Sequence, residues 1–258
     1  TTAYGPRLLA PLLPVLRNVV SDPQERKWVE QLAQWQGDYP LDSVSATLFN
    51  QFLFNLADAA LHDELGDGFF DTALSTRVID AALPRLAASA DSPWWDDRTT
   101  LSKETRSDIV KTAWNKSLAH LKTTFGDDAT QWQWGNAHTL THGHPLGMQK
   151  PLDRIFNVGP FAAPGTHEVP NNLSARIGPA PWPVTYGPST RRIIDFADPT
   201  HSVTINPVGQ SGVPFDKYYA DQAEAYIEGL YHQAHLAEEE VTANTHDTLK
   251  LLPARAAP

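Results

Sequence analysis

The sequence predicts an α+β fold, with helices in the first half and a few strands in the second. Three observations carry this reading. Apolar residues recur at helical spacing through the first 126 residues. The stretch from His144 to Pro188 is crowded with Pro, Gly and Asn and holds no sustained period, so it reads as a long ordered loop. After it, "RRIIDFADPTHSVTIN" offers two strand-length runs around turn residues. Helices followed by strands suit α+β better than alternating βαβ units. The expected division is a helical region over 1–126 and a loop-rich region over 127–258 that carries strands and a C-terminal helix.

The elements follow in order. The opening "TTAYGPRLLAPLLP" is an apolar segment punctuated by Pro6, Pro11 and Pro14, with a frayed terminus before it. Glu25 to Trp35 places Trp28, Leu32 and Trp35 on one stripe, preceded by the start signal Asp22-Pro23. Leu41, Val44, Leu48, Phe52, Leu56 and Ala59 mark a second, longer helix. Phe49, Leu53 and Phe54 widen its apolar face, which predicts burial on more than one side. A third helix is expected from Phe70 to Leu86, interrupted or ended at Pro84. A fourth starts after Ser102, with Glu104 in its first turn, and turns Val110, Trp114, Ser117 and Leu121 inward. Strands are expected at Arg191–Phe196 and Ser202–Asn206, a helix in "DQAEAYIEGLYHQAH", and a last strand in "DTLKLLP".

Bulk properties exclude several classes of function. A formal net charge of −10 lacks the basic footprint that duplex nucleic acid or an anionic membrane surface requires. No apolar run reaches bilayer length. Cysteine is absent, so disulfides, thiolate metal sites and a cysteine nucleophile are all excluded. Neither an initiator methionine nor a charged-then-apolar leader opens the chain, so Thr1 reads as a processing product or an arbitrary boundary.

Local candidates for chemistry fail on context. A nucleophile elbow needs G-x-S-x-G on a strand-to-helix turn. Here Gly209-Gln210-Ser211-Gly212-Val213 brings the second glycine one position early, and Pro214 follows without a helix. Ser211 is therefore expected in a structural turn. Thr1 would need to open a strand to act as an N-terminal nucleophile, and it does not. His138, His142 and His144 share one face if the run is extended, which leaves a metal reading open. No carboxylate lies among them, and bonding to neighbouring backbone is the expected outcome. Asp96 and Asp97 read as a solvated loop or helix-start charge, and Glu238–Glu240 as a solvent-facing run. Trp94, Trp95, Trp132 and Trp134 offer an alternative function, stacking platforms of a carbohydrate- or ligand-binding module without catalysis. No residue is assigned a catalytic, substrate-binding or metal role.

Three blocks, in this order, resemble one family. They are "RKWVEQLAQWQG" (Arg26 to Gly37), "WQWGNAHTLTHGHPL" (Trp132 to Leu146) and "NPVGQSGVPFDKYYADQ" (Asn206 to Gln222). The chain resembles the C-terminal portion of the β-subunit of penicillin acylase-type, N-terminal-nucleophile amidohydrolases, over roughly Arg7 to Glu240. The resemblance implies an αββα assembly whose sheet is completed by other chains. It implies a self-cleaved precursor, with the α-chain and the N-terminal part of the β-chain as partners. Substrates would be N-acyl amides, such as penicillins or acyl-homoserine lactones. In such enzymes the new N-terminal Ser attacks the amide with its own α-amine as base, beside an oxyanion hole. That serine, the oxyanion Asn and the calcium-binding segment have no matching positions here, so none is carried over. The resemblance further implies no cofactor on this chain, a structural calcium on companion chains, and export to the periplasm or medium of a bacterium.

Overall fold

The computed structural model describes residues 1–253. It divides into two compact units, Thr1–Pro188 and the remainder from Ser189 onward. The first is built on five helices: α1 (Tyr4–Val19), α2 (Pro23–Gln34), α3 (Val44–Leu74), α4 (Val78–Ala88) and α5 (Arg106–Phe125).

Helix α1 corrects the reading of the opening segment. Leu8, Leu9, Leu12 and Leu16 recur on one face and are buried, whereas Pro11 and Pro14 lie on the other side of that helix. Burial of this stripe outweighs the hydrogen bonds that the two interior prolines remove. The terminus is tied down as well: the Thr2 amide donates to Gly37 O at 2.7 Å, and Thr2 Oγ1 accepts from the Tyr4 amide at 3.2 Å. Gly5 lets the helix approach α2, since a Cβ there would stand 2.5 Å from the Trp35 ring.

Helix α2 starts as its sequence demands. Asp22 Oδ1 accepts from the amides of Gln24 and Glu25 at 2.8 and 2.9 Å, and Pro23 takes the first turn. Helix α3 is capped by Ser43 and buried on several sides, with Phe49, Phe52, Leu53 and Leu56 all enclosed. Leu41, expected within it, precedes it. The helix continues to Leu74 across a break at Gly66 (φ 65°, ψ 167°), so Phe70 belongs to its terminal arm and not to a third helix. Helix α4 then runs through Pro84 without interruption. Helix α5 is capped by Thr105 rather than Ser102: the Thr105 amide and Oγ1 both donate to Asp108 Oδ2, at 2.9 and 2.6 Å. Its inward residues Val110, Trp114, Ser117 and Leu121 are fully buried, as their spacing requires.

Short structure lies both just before and within the stretch read as a continuous loop, residues 144–188. A four-residue helix α6 (Trp134–Ala137) leads into β1 (His138–His142). Helix α7 (Asp153–Phe156), β2 (Val158–Ala162) and β3 (Trp182–Pro183) follow. Strand β1 is central, antiparallel to β2 and parallel to β3. Local periodicity could not disclose β2 and β3, because their pairing partner lies far away in sequence.

In the second unit β4 (Arg191–Ile193), β5 (Val203–Ile205) and β6 (His232–Gln233) form an antiparallel sheet with β5 in the middle. The two expected strands thus exist but are shorter at their ends. Helix α8 (Ala223–Glu228) stops at Gly229 (φ 75°), so the second half of the expected helix turns into β6. A short α9 (Glu238–Ala243) follows, and the strand expected in residues 247–253 is absent. The architecture is α+β, with helices and two small sheets. No helix among the described residues is long and apolar enough to cross a membrane.

Candidate functional site

The block from Asn206 to Gln222 is a loop pinned across its neck. The Asn206 amide donates to Gln222 Oε1 at 3.0 Å, directly after β5. Further out, the Gly209 amide donates to Tyr219 O and the Ser211 amide to Tyr218 O, each at 3.0 Å. Asp216 turns the tip by accepting from the Tyr218 amide at 2.7 Å. Glycine is required at position 209, where a Cβ would stand 1.7 Å from Tyr218 O. Ser211 Oγ accepts from the Val213 amide at 3.2 Å, a local serine turn in which the hydroxyl faces its own loop. The geometry is that of a turn, with no helix following the serine.

The three histidines do not converge on a shared point. His138 is buried, stacks on Trp134 at 4.6 Å, and holds Nδ1 2.7 Å from Ala163 O, so Nδ1 carries the proton. Burial holds its pKa below the ordinary imidazole value, and does the same for His142. His144 lies beyond the strand, and its Nδ1 accepts from the Leu146 amide at 3.1 Å. Among the described residues, no group of three or more His, Asp or Glu side chains is placed to hold a metal ion.

The acidic pair folds a loop. Asp96 Oδ1 accepts from the Glu104 amide at 3.0 Å, and Asp97 Oδ1 from the Thr99 amide at 2.9 Å. The Thr99 hydroxyl and amide hold the Asp97 carboxyl below its ordinary range. Glu238–Glu240 lie exposed in the first turn of α9.

The tryptophan platform is overturned. Trp95, Trp132 and Trp134 are buried, and each indole N–H donates to a backbone carbonyl: Ser89 O, Gly126 O and Gly165 O at 2.8 to 3.0 Å. Trp94 alone of the four is substantially exposed, at 39%. These rings are core, packed for example as Trp132 on Trp28 at 5.1 Å, and one exposed indole makes no platform.

Two polar clusters escaped the sequence reading. Asp80, buried on α4, lies 3.1 Å from Arg77 and 3.5 Å from His167 Nε2. Burial opposes its ionisation, yet His167 and Arg77 hold the carboxyl below its ordinary range. The signal was a carboxylate beside the apolar stripe Ile79, Leu83 and Ala87. The second cluster surrounds the break in α3, where His62 bonds Asp58 at 2.9 Å and Asp67 at 3.0 Å. The i, i+4 spacing of Asp58 and His62 was visible in the sequence.

Comparison with known proteins adds the family. The sequence pattern of the penicillin amidase family matches residues 1–243. An acyl-homoserine lactone acylase QuiP of Pseudomonas aeruginosa is 29% identical over 226 residues, covering 80% of this chain and 26% of the relative. The protein of the same name from Pseudomonas syringae pv. tomato is 30% identical over 213 residues, with 80% and 26% covered. The chain therefore spans about a quarter of the length of these curated relatives. A thermostable penicillin G acylase from Alcaligenes faecalis superposes with a TM-score of 0.52 at 16% identity, covering 97% of this chain and 47% of that one, which is a likeness of fold. The match over residues 1–243 establishes that the chain belongs to the penicillin amidase family.

Proposed function

We propose that this chain is the C-terminal β-chain portion of an amide hydrolase that cleaves N-acyl amides, of the penicillin side-chain or N-acyl-homoserine lactone type. The observation that carries it is the family match over residues 1–243 in a chain a quarter as long as its relatives. The nucleophile is an N-terminal Ser on another part of the same precursor, freed by self-cleavage so that its own α-amine serves as base. Here the chain braces the site rather than supplying it. In support, Ser211 is engaged by its own loop. The sheet of the second unit also presents two edges, β4 and β6, and its strands are too few and short to stand alone. One face of that sheet is an open trough of about 600 Å³ lined by Arg192, Ile194, Thr204 and Leu236, suited to cover by the α-chain and early β-chain. By the same family logic the protein is exported from a bacterium. A structural calcium would belong to the companion portion. The described residues here offer no group of three or more carboxylate or imidazole ligands for it, and no step is routed through one.

The test is a denaturing gel with intact masses on the full protein, followed by N-terminal sequencing of every band. A companion polypeptide beginning with Ser is expected, with activity on a phenylacetyl or fatty-acyl chromogenic amide only when both are present. Hydrolysis by this chain alone would overturn the assignment.

A further inference from the structure

A histidine side chain bridges the break in α3. Residues 44–65 form the long helix, Gly66 leaves helical geometry, and residues 67–74 form a terminal arm. His62, in the last turn before the break, reaches across it. Its Nδ1 lies 2.9 Å from Asp58 Oδ1 on the helix, and its Nε2 lies 3.0 Å from Asp67 Oδ1 at the start of the arm. The ring stacks on Phe70 of the arm, with centroids 4.3 Å apart and planes 16° from parallel.

An imidazole that faces carboxylates at both nitrogens must carry both protons, because a neutral ring has only one N–H. With one proton lost, one carboxylate meets a lone pair. The two carboxylates are not equivalent: Asp58 is partly buried and also paired with Lys116 at 3.1 Å, whereas Asp67 is fully exposed. Asp67 loses least by turning to water, so it is the bond that breaks.

We propose that His62 is a proton-dependent latch across the α3 break: doubly protonated it ties the Asp67–Leu74 arm to the helix, and as a neutral ring it releases the arm at Asp67. The latch lines a cleft of about 710 Å³. The charged groups facing it there are Asp58, Asp63 and Asp67 of α3, Lys116 of α5, and Asp97 and Glu104 of the intervening loop. Carboxylates dominate this set, which favours the imidazolium. The hydrogen bond to Asp58, against a burial cost and helped by Asp67, holds His62 above its ordinary 6.5. A raised folded-state value means that the latch is closed below pH 6.5 and opens as pH rises through that higher value. Asp71 on the arm also pairs with Arg176 of the segment between β2 and β3.

Hydrogen–deuterium exchange on the full protein at about pH 6 and about pH 8, corrected for intrinsic rates, tests this. Peptides covering 67–74 are expected to lose about fivefold in protection at the higher pH, the factor set by one net hydrogen bond. Peptides from α5 are expected to hold steady. Asp67→Ala, which removes the acceptor at a fully exposed position, is expected to show the lower protection at both pH values. Protection in the wild type that does not change with pH, or the same pH dependence in Asp67→Ala, would overturn the latch.

Discussion

Ser211 shows how a residue type can mislead where its neighbours do not. Its hydroxyl accepts from Val213 within a loop whose glycine is dictated by the approach of Tyr218 O. Ser211→Ala is therefore expected to leave kcat/KM within about twofold, since among the described residues the hydroxyl is engaged by the Val213 amide and by no group that could activate it. A loss of about a hundredfold with normal assembly would refute the structural reading. Asp80 behaves oppositely. Its folded-state pKa lies below 3.8, so the stability it contributes is present above that pH and lost as pH falls through the folded value. Asp80→Asn should unfold at lower urea than wild type near neutrality, with the gap closing in acid below about pH 3.8. Parallel urea titrations at several pH values would check this. The spacing of Ser211 was legible because it is local. The pairing of Asp80 with His167 was not, because 87 positions separate them.

Elements were legible wherever one signal dominated. The Asp22-Pro23 start, the inward face of α5 and the multi-sided burial of α3 all follow from local spacing. The failures have a common cause. Proline argued against α1, yet its leucine stripe packs so completely that tertiary burial prevails. The strands β2 and β3 owe their existence to β1, a partner no local window contains. Gly66 fell between two expected helices, and what local spacing did not disclose is that the first resumes, as far as Leu74, beyond this glycine. There the backbone occupies a region that essentially only glycine enters, although a Cβ would meet nothing within 4 Å. Gly66→Ala is accordingly expected to cost about 1–3 kcal/mol through backbone strain alone, read as a lower urea midpoint with unchanged m-value.

At the scale of the molecule, order along the chain informed more than any motif. Three blocks spread from Arg26 to Gln222 pointed to the family, and the family pattern matches residues 1–243. What the remaining polypeptide does to this chain is open to direct measurement. If the trough lined by Ile194 and Leu236 is covered in the whole protein, Ile194→Glu buries an unpaired carboxylate there. The full protein should then melt several degrees lower, as expected for about 1–2 kcal/mol in a large chain. An unchanged melting temperature would mean that the trough faces water.

The buried indoles have an optical consequence. Seven of the eight tryptophans are enclosed, and those at 95, 132 and 134 spend their N–H on main-chain carbonyls. Intrinsic emission from this chain is thus a gauge of its core, shifted to short wavelength while packing holds. A collisional quencher such as acrylamide should reach Trp94 first, and the other seven only as the helices part.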